Sequence, residues 1–173
     1  MAKTTLQLIV LALTLVLAQA VVFNNVCLFN VAMPFVFIYV LLRLPVTLAV
    51  NWLLTISFFM GLVIDIFADT YGMNALACTL LAMGRRPILR LYVPREDDMS
   101  VTEPSIHSLG MAVYAKYMFT MTLYYCTCIF VIEAFTFFNP LQLLLRIIAS
   151  TLLSGLIMLG IDSLISKRSE KRL

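Results

Sequence analysis

Residues 46–91 read VTLAVNWLLTISFFMGLVIDIFADTYGMNALACTLLAMGRRPILRL. Two apolar runs, 46–67 and 72–91, flank the polar turn Ala68, Asp69, Thr70, Tyr71. Each has about the 20 residues that a helix needs to cross a hydrocarbon core of about 30 Å. A chain in lipid must satisfy its backbone groups internally, so such runs are expected as transmembrane helices. Outward from this hairpin, further apolar runs lie at 5–23, 26–42, 109–138 and 141–166. The expected fold is therefore all-α: a polytopic membrane protein of about six transmembrane helices in one domain, with a loop at 92–108 and a basic tail at 167–173. Composition agrees, with 62% hydrophobic and 12% charged residues, against roughly 25% charged in soluble domains.

Basic residues set the orientation, because Lys and Arg are held on the cytoplasmic side during insertion. With an even number of spans, Lys3, Arg43, the group Arg85, Arg86, Arg90 and Arg95, and the tail Lys167, Arg168, Lys171 and Arg172 all fall on one side. The opposite turns, near Asn24, Asp69 and Asn139, have no Lys or Arg. Both termini are then cytoplasmic, and the net charge of +3 reads as topology, with no nucleic-acid partner. Lys3, the apolar run and Ala18, Gln19, Ala20 imitate a signal peptide. The run continues through Val21, Val22 and Phe23, which favours an uncleaved first helix.

Cys27, Cys78, Cys126 and Cys128 sit inside apolar runs and read as packing residues. His107 lies alone in the loop, so no metal or cofactor is expected. Ser57, Gly61 and Asp65 recur at helical spacing on the third span and make one face small and polar. Gly72, Ala75, Thr79 and Ala82 make a similar stripe on the fourth, which predicts a tightly packed hairpin, with helix packing or partner binding as its use. Charges inside spans need partners. Glu133 and Arg146 lie equally far from the turn at Asn139 and Pro140, which allows an ion pair between them. Lys116 and Asp162 also match in depth, but Arg146 and Asp162 fall on nearly opposite faces of the last helix. A straight hairpin does not easily form both pairs, leaving Asp65 as an alternative partner for Arg146 and snorkelling as an alternative for Lys116.

No catalytic constellation is present. An intramembrane aspartyl protease would need Asp65 and Asp162 at one depth, whereas the topology sets them near opposite ends of their helices. The motifs of metalloproteases, serine hydrolases and phosphate-binding loops are absent.

The segment FFMGLVIDIFADTYGMNALACTLLA, residues 58–82, resembles the core of the bacterial rod shape-determining MreD family, with Gly61, Leu62, Asp65, Gly72, Ala75 and Leu76 at the matching positions. The segment EPSIHSLG, residues 103–110, resembles Bacteroidetes-type members. The resemblance implies a non-catalytic subunit of the cell-elongation machinery in the bacterial cytoplasmic (inner) membrane. Such a subunit associates with MreC and, through it, with MreB filaments, RodA and a penicillin-binding transpeptidase. It also implies a bundle similar to the S components of vitamin transporters, so the rival expectation is a small-molecule binder with an enclosed pocket on the outer half. A channel or secondary transporter would instead show repeated broken helices. The loop at 92–108 reads either as a solvated connector or as a docking strip for a cytoplasmic partner. The tail reads as an anchor to anionic lipid.

Overall fold

The computed structural model describes residues 2–21, 32–92, 104, 109–134 and 140–170, with the backbone alone for 2–8 and 166–170. The basic tail beyond residue 170, His107, Cys27 and most of the loop at 92–108 lie outside the described residues. Six helices follow one another: α1 Ala2–Val21, α2 Ile38–Arg43, α3 Val50–Ala68, α4 Met73–Tyr92, α5 Met111–Glu133 and α6 Pro140–Glu170. There is no β-strand among the described residues.

Of these helices, α3, α5 and the part of α6 over Pro140–Ile165 are long and apolar enough to cross a membrane. The described apolar part of α1, Ile9–Val21, is shorter. In α4 the apolar run stops at Gly84, where Arg85, Arg86 and then Arg90 follow.

The span expected at 26–42 is corrected. Its described part is not one helix: residues 33–36 are irregular, and only Ile38–Arg43 is helical. Pro34 supplies the physical reason, since it has no N–H and disfavours a helical conformation in the residue before it. This broken segment forms the centre of the molecule. Val36, Phe37, Ile38 and Tyr39 are fully buried, and Val40, Leu41 and Leu42 nearly so. Around it, α3 packs on α4, α4 on α5 and α5 on α6, while α1 leans on α3 and α2. Phe35 and Phe37 meet the Tyr125 ring edge-on at 5.3 and 5.9 Å, which seats the segment against α5.

Irregular backbone at membrane depth is tolerated only when protein groups satisfy it, and side chains from two helices do so here. Gln19 of α1 donates to the Pro34 carbonyl (2.9 Å) and accepts from the Val36 N–H (2.9 Å). Ser150 and Ser154 of α6 accept from the N–H groups of Met33 (3.0 Å) and Phe35 (2.8 Å). The backbone donors of the irregular stretch ahead of α2 are thereby satisfied by side chains of other helices.

Candidate functional site

The α3–α4 turn brings together most of the small and polar residues singled out in the sequence. α3 ends at Asp69, which takes the left-handed conformation at φ 54°. The N–H groups of Asp69 and Thr70 both turn back to the Asp65 carbonyl, the second at 3.0 Å. Gly72, at φ +76°, then redirects the chain into α4, a conformation that glycine adopts without penalty. Gly72 precedes the first residue of α4 and accepts from the Leu76 N–H at 3.0 Å, so it occupies the capping position but has no side chain to cap with.

Asp65 supplies the missing acceptor from the preceding helix. One carboxylate oxygen accepts from the Asn74 N–H (2.9 Å), the Asn74 amide (3.0 Å) and the Thr70 hydroxyl (2.5 Å); the other accepts from the Ala75 N–H (2.8 Å). These backbone donors belong to the first turn of α4, the groups an N-cap side chain normally satisfies. A negative charge there also complements the positive end of the α4 dipole. Asp65 is 5% exposed, and a carboxylate so buried would be costly without such donors. The network reaches α5, where the Tyr125 hydroxyl donates to the Asn74 side-chain carbonyl at 2.7 Å.

Gly61 makes this geometry possible. A Cβ there would lie 2.5 Å from the Ala75 Cα and 2.6 Å from the Asn74 carbonyl oxygen, so α3 and α4 touch backbone to backbone. The other predicted residues divide into two kinds. Ser57 is buried and Thr79 half-buried, and each hydroxyl donates to its own helix, to the Leu53 and Ala75 carbonyls. At Gly72 a Cβ would meet nothing within 4 Å, so the part of this glycine is conformational, not the packing expected of it.

The charges of the last hairpin are placed as follows. Arg146 lies 3.6 Å from Glu133, both partly exposed, with its guanidinium over the Phe130 ring. The pairing of Lys116 with Asp162 is corrected. Asp162 is buried on α6 and receives the Tyr39 hydroxyl, with Arg43 at 3.8 Å and the Tyr114 hydroxyl at 3.5 Å, while Lys116 is exposed on α5. The reason is the broken segment, which carries Tyr39 and Arg43 into the space beside α6 that a regular hairpin of α5 and α6 would leave open. Asp65 and Asp162 belong to separate networks at different ends of the bundle.

Over the α3–α4 turn there is an open-sided concavity of about 360 Å³ lined by Leu62, Asp65, Ile66, Asp69, Thr70, Tyr71 and Gly72. Among the described residues, no group of His, Cys, Asp and Glu is arranged to hold a metal ion.

Among the described residues, fold and site together define an all-helical bundle, three of whose helices are long and apolar enough to cross a membrane, with a carboxylate-capped helical hairpin. No protein-family model, curated protein or solved structure matches the chain.

Proposed function

We propose that this chain is an MreD-type membrane subunit of the bacterial cell-elongation machinery, non-catalytic, and acting by binding other membrane proteins. The observation that carries the reading is the α3–α4 hairpin. Of the positions on which the resemblance rests, Gly61, Asp65, Gly72 and Ala75 each have a distinct physical task in one structure, while Leu62 and Leu76 are not part of that network. A motif whose members serve one rigid hairpin is what a helix-presenting scaffold needs. Asp65 accepts four hydrogen bonds within the hairpin, which supports a structural part for it on this reading. On this reading MreC is the direct partner, MreB filaments, RodA and a penicillin-binding transpeptidase are indirect ones, and the protein lies in the inner membrane with both termini cytoplasmic.

The apolar surface supports such a role. α3 presents Trp52, Phe59, Val63 and Ile66, and α6 presents Leu141, Leu145, Ile148 and Leu152, outward from the bundle. Surfaces of this kind meet lipid or the helices of a partner. The concavity over the α3–α4 turn is open-sided, whereas a vitamin-type binder is expected to enclose its ligand.

The test is affinity purification of the tagged protein from its own membranes in mild detergent, with identification of the proteins that stay bound. Recovery of MreC with the wall-synthesis enzymes is the expected result. Recovery of a transporter ATPase pair, or of a small molecule alone, would overturn the reading in favour of a substrate-binding component.

A further inference from the structure

At the end of the bundle opposite the α3–α4 turn, positive charge gathers on the connection between α2 and α3. Buried Arg85 of α4 donates to the carbonyls of Leu42 and Leu44, on either side of Arg43. Arg86 donates to those of Val46 (3.4 Å) and Leu48 (2.6 Å). Arg43 itself donates to the Tyr39 hydroxyl at 3.1 Å and lies 3.8 Å from Asp162. Of these three guanidiniums, Arg43 has a carboxylate beside it in Asp162, while the bonds of Arg85 and Arg86 go to backbone carbonyls.

Hydrogen bonding in the group is also incomplete. The Nε of Arg43, the Nε of Arg85 and the hydroxyl of Tyr117 are buried with no hydrogen-bond partner. Arg85 is 3% and Tyr117 0% exposed, and the Tyr117 phenol lies within electrostatic reach of the Arg85 guanidinium. Buried donors without acceptors are costly, and an uncompensated buried charge more so. Both deficits are removed by the same kind of group, an anion rich in acceptor oxygens, which arginine forks match well.

We propose that Arg43, Arg85, Arg86 and Tyr117 form a site for a phosphate group, supplied in the membrane by an anionic phospholipid. Its level fits, since α4 changes from apolar to basic between Gly84 and Arg85, where a headgroup layer begins. Arg43 and Arg86 are only partly buried, whereas Arg85 and Tyr117 are buried behind them in the same end of the bundle. The site is independent of MreC binding and of the α3–α4 hairpin.

The experiment compares retention of phosphatidylglycerol and phosphatidylcholine by the detergent-purified full chain, using native mass spectrometry, with thermal unfolding in inorganic phosphate as a parallel arm. Preferential retention of phosphatidylglycerol by about tenfold is expected, the worth of one hydrogen bond to a charged group. Tyr117→Phe and Arg86→Gln should each reduce that preference several-fold. Tyr117→Phe should do so without loss of fold, because it keeps the buried ring and removes a hydroxyl that makes no well-formed hydrogen bond. A rise in melting temperature with inorganic phosphate, lost in Tyr117→Phe and without a lipid preference, would assign the same phosphate site to a soluble anion. Equal retention of the two lipids with no response to phosphate would overturn the proposal. So would a lipid preference that both variants keep in full.

Discussion

Two regions of this bundle hold the chain together by opposite means. In the α3–α4 hairpin, two regular helices meet backbone to backbone at Gly61 and Ala75, and one carboxylate closes the turn. At the seam between α1 and α6, the backbone is irregular, and Gln19, Ser150 and Ser154 supply its missing hydrogen bonds from a distance. The hairpin depends on the absence of a side chain and the seam on the presence of several. Sequence-local contacts build the first: Asp65 bonds residues five to ten positions on. The second joins residues 117 and 119 positions apart. The hairpin is therefore expected to be the more autonomous unit, and the seam the part that opens first.

Gly61→Ala is the most severe way to break the comparison. Its methyl would lie 2.5 Å from the Ala75 Cα, an atom that no rotamer change can move. A loss of about 3 kcal/mol is expected, the upper range for overpacking, visible as a lower melting temperature in detergent. Little change would show that α3 and α4 slide apart easily, and the hairpin would not be the rigid half. Asp65→Ala comes next, at about 2–3 kcal/mol, because it strips the acceptor from the Asn74 and Ala75 N–H groups and from the Thr70 hydroxyl together. Asp65→Asn retains an acceptor oxygen and should recover part of the loss. If alanine and asparagine are equally damaging, charge at the α4 N-terminus, and not acceptor geometry, carries the effect.

Much of the hairpin is legible in the sequence, and little of the seam. Small residues at helical spacing around Asp65 point to close packing of two consecutive spans, because that interaction is local and repeats with the helix period. What spacing does not reveal is that Asp65 caps the next helix; the clue is Gly72, a glycine standing where a capping side chain is usual. Asn74, Thr70 and Tyr125 escape a reading of the sequence because each acts through hydrogen bonds that hydropathy does not register. The second span misleads for a related reason. Its apolar residues suit a buried broken segment as well as a lipid-facing helix, and Pro34 is the signal against a continuous helix. Once that segment is central, Tyr39 and Arg43 reach Asp162, a pairing that depth arithmetic on α5 and α6 alone has no means to find.

Gln19→Leu sharpens the comparison from the other side. It fills similar space but leaves the Val36 N–H and the Pro34 carbonyl without partners, so about 2 kcal/mol should be lost. Hydrogen exchange at Val36 should accelerate, while the amides of Asn74 and Ala75 keep their protection. Equal acceleration at both places would mean that seam and hairpin open as one cooperative unit.

Ser154→Ala is the mildest of the four and isolates a single bond. Ser154 is fully buried, and its oxygen accepts the Phe35 N–H at 2.8 Å. Alanine in its place leaves that donor unpaired at a cost of about 1 kcal/mol and no bulk to accommodate. Because residues 33–36 are irregular and Pro34 disfavours a helical conformation at Met33, Phe35 has no regular helical alternative through which to recover the bond. Exchange at the Phe35 amide should therefore rise about fivefold to tenfold, with the Met33 amide, held separately by Ser150, changing less. A matching rise at Met33 would show that the two serines act as one clasp, so that α6 releases the broken segment in a single step.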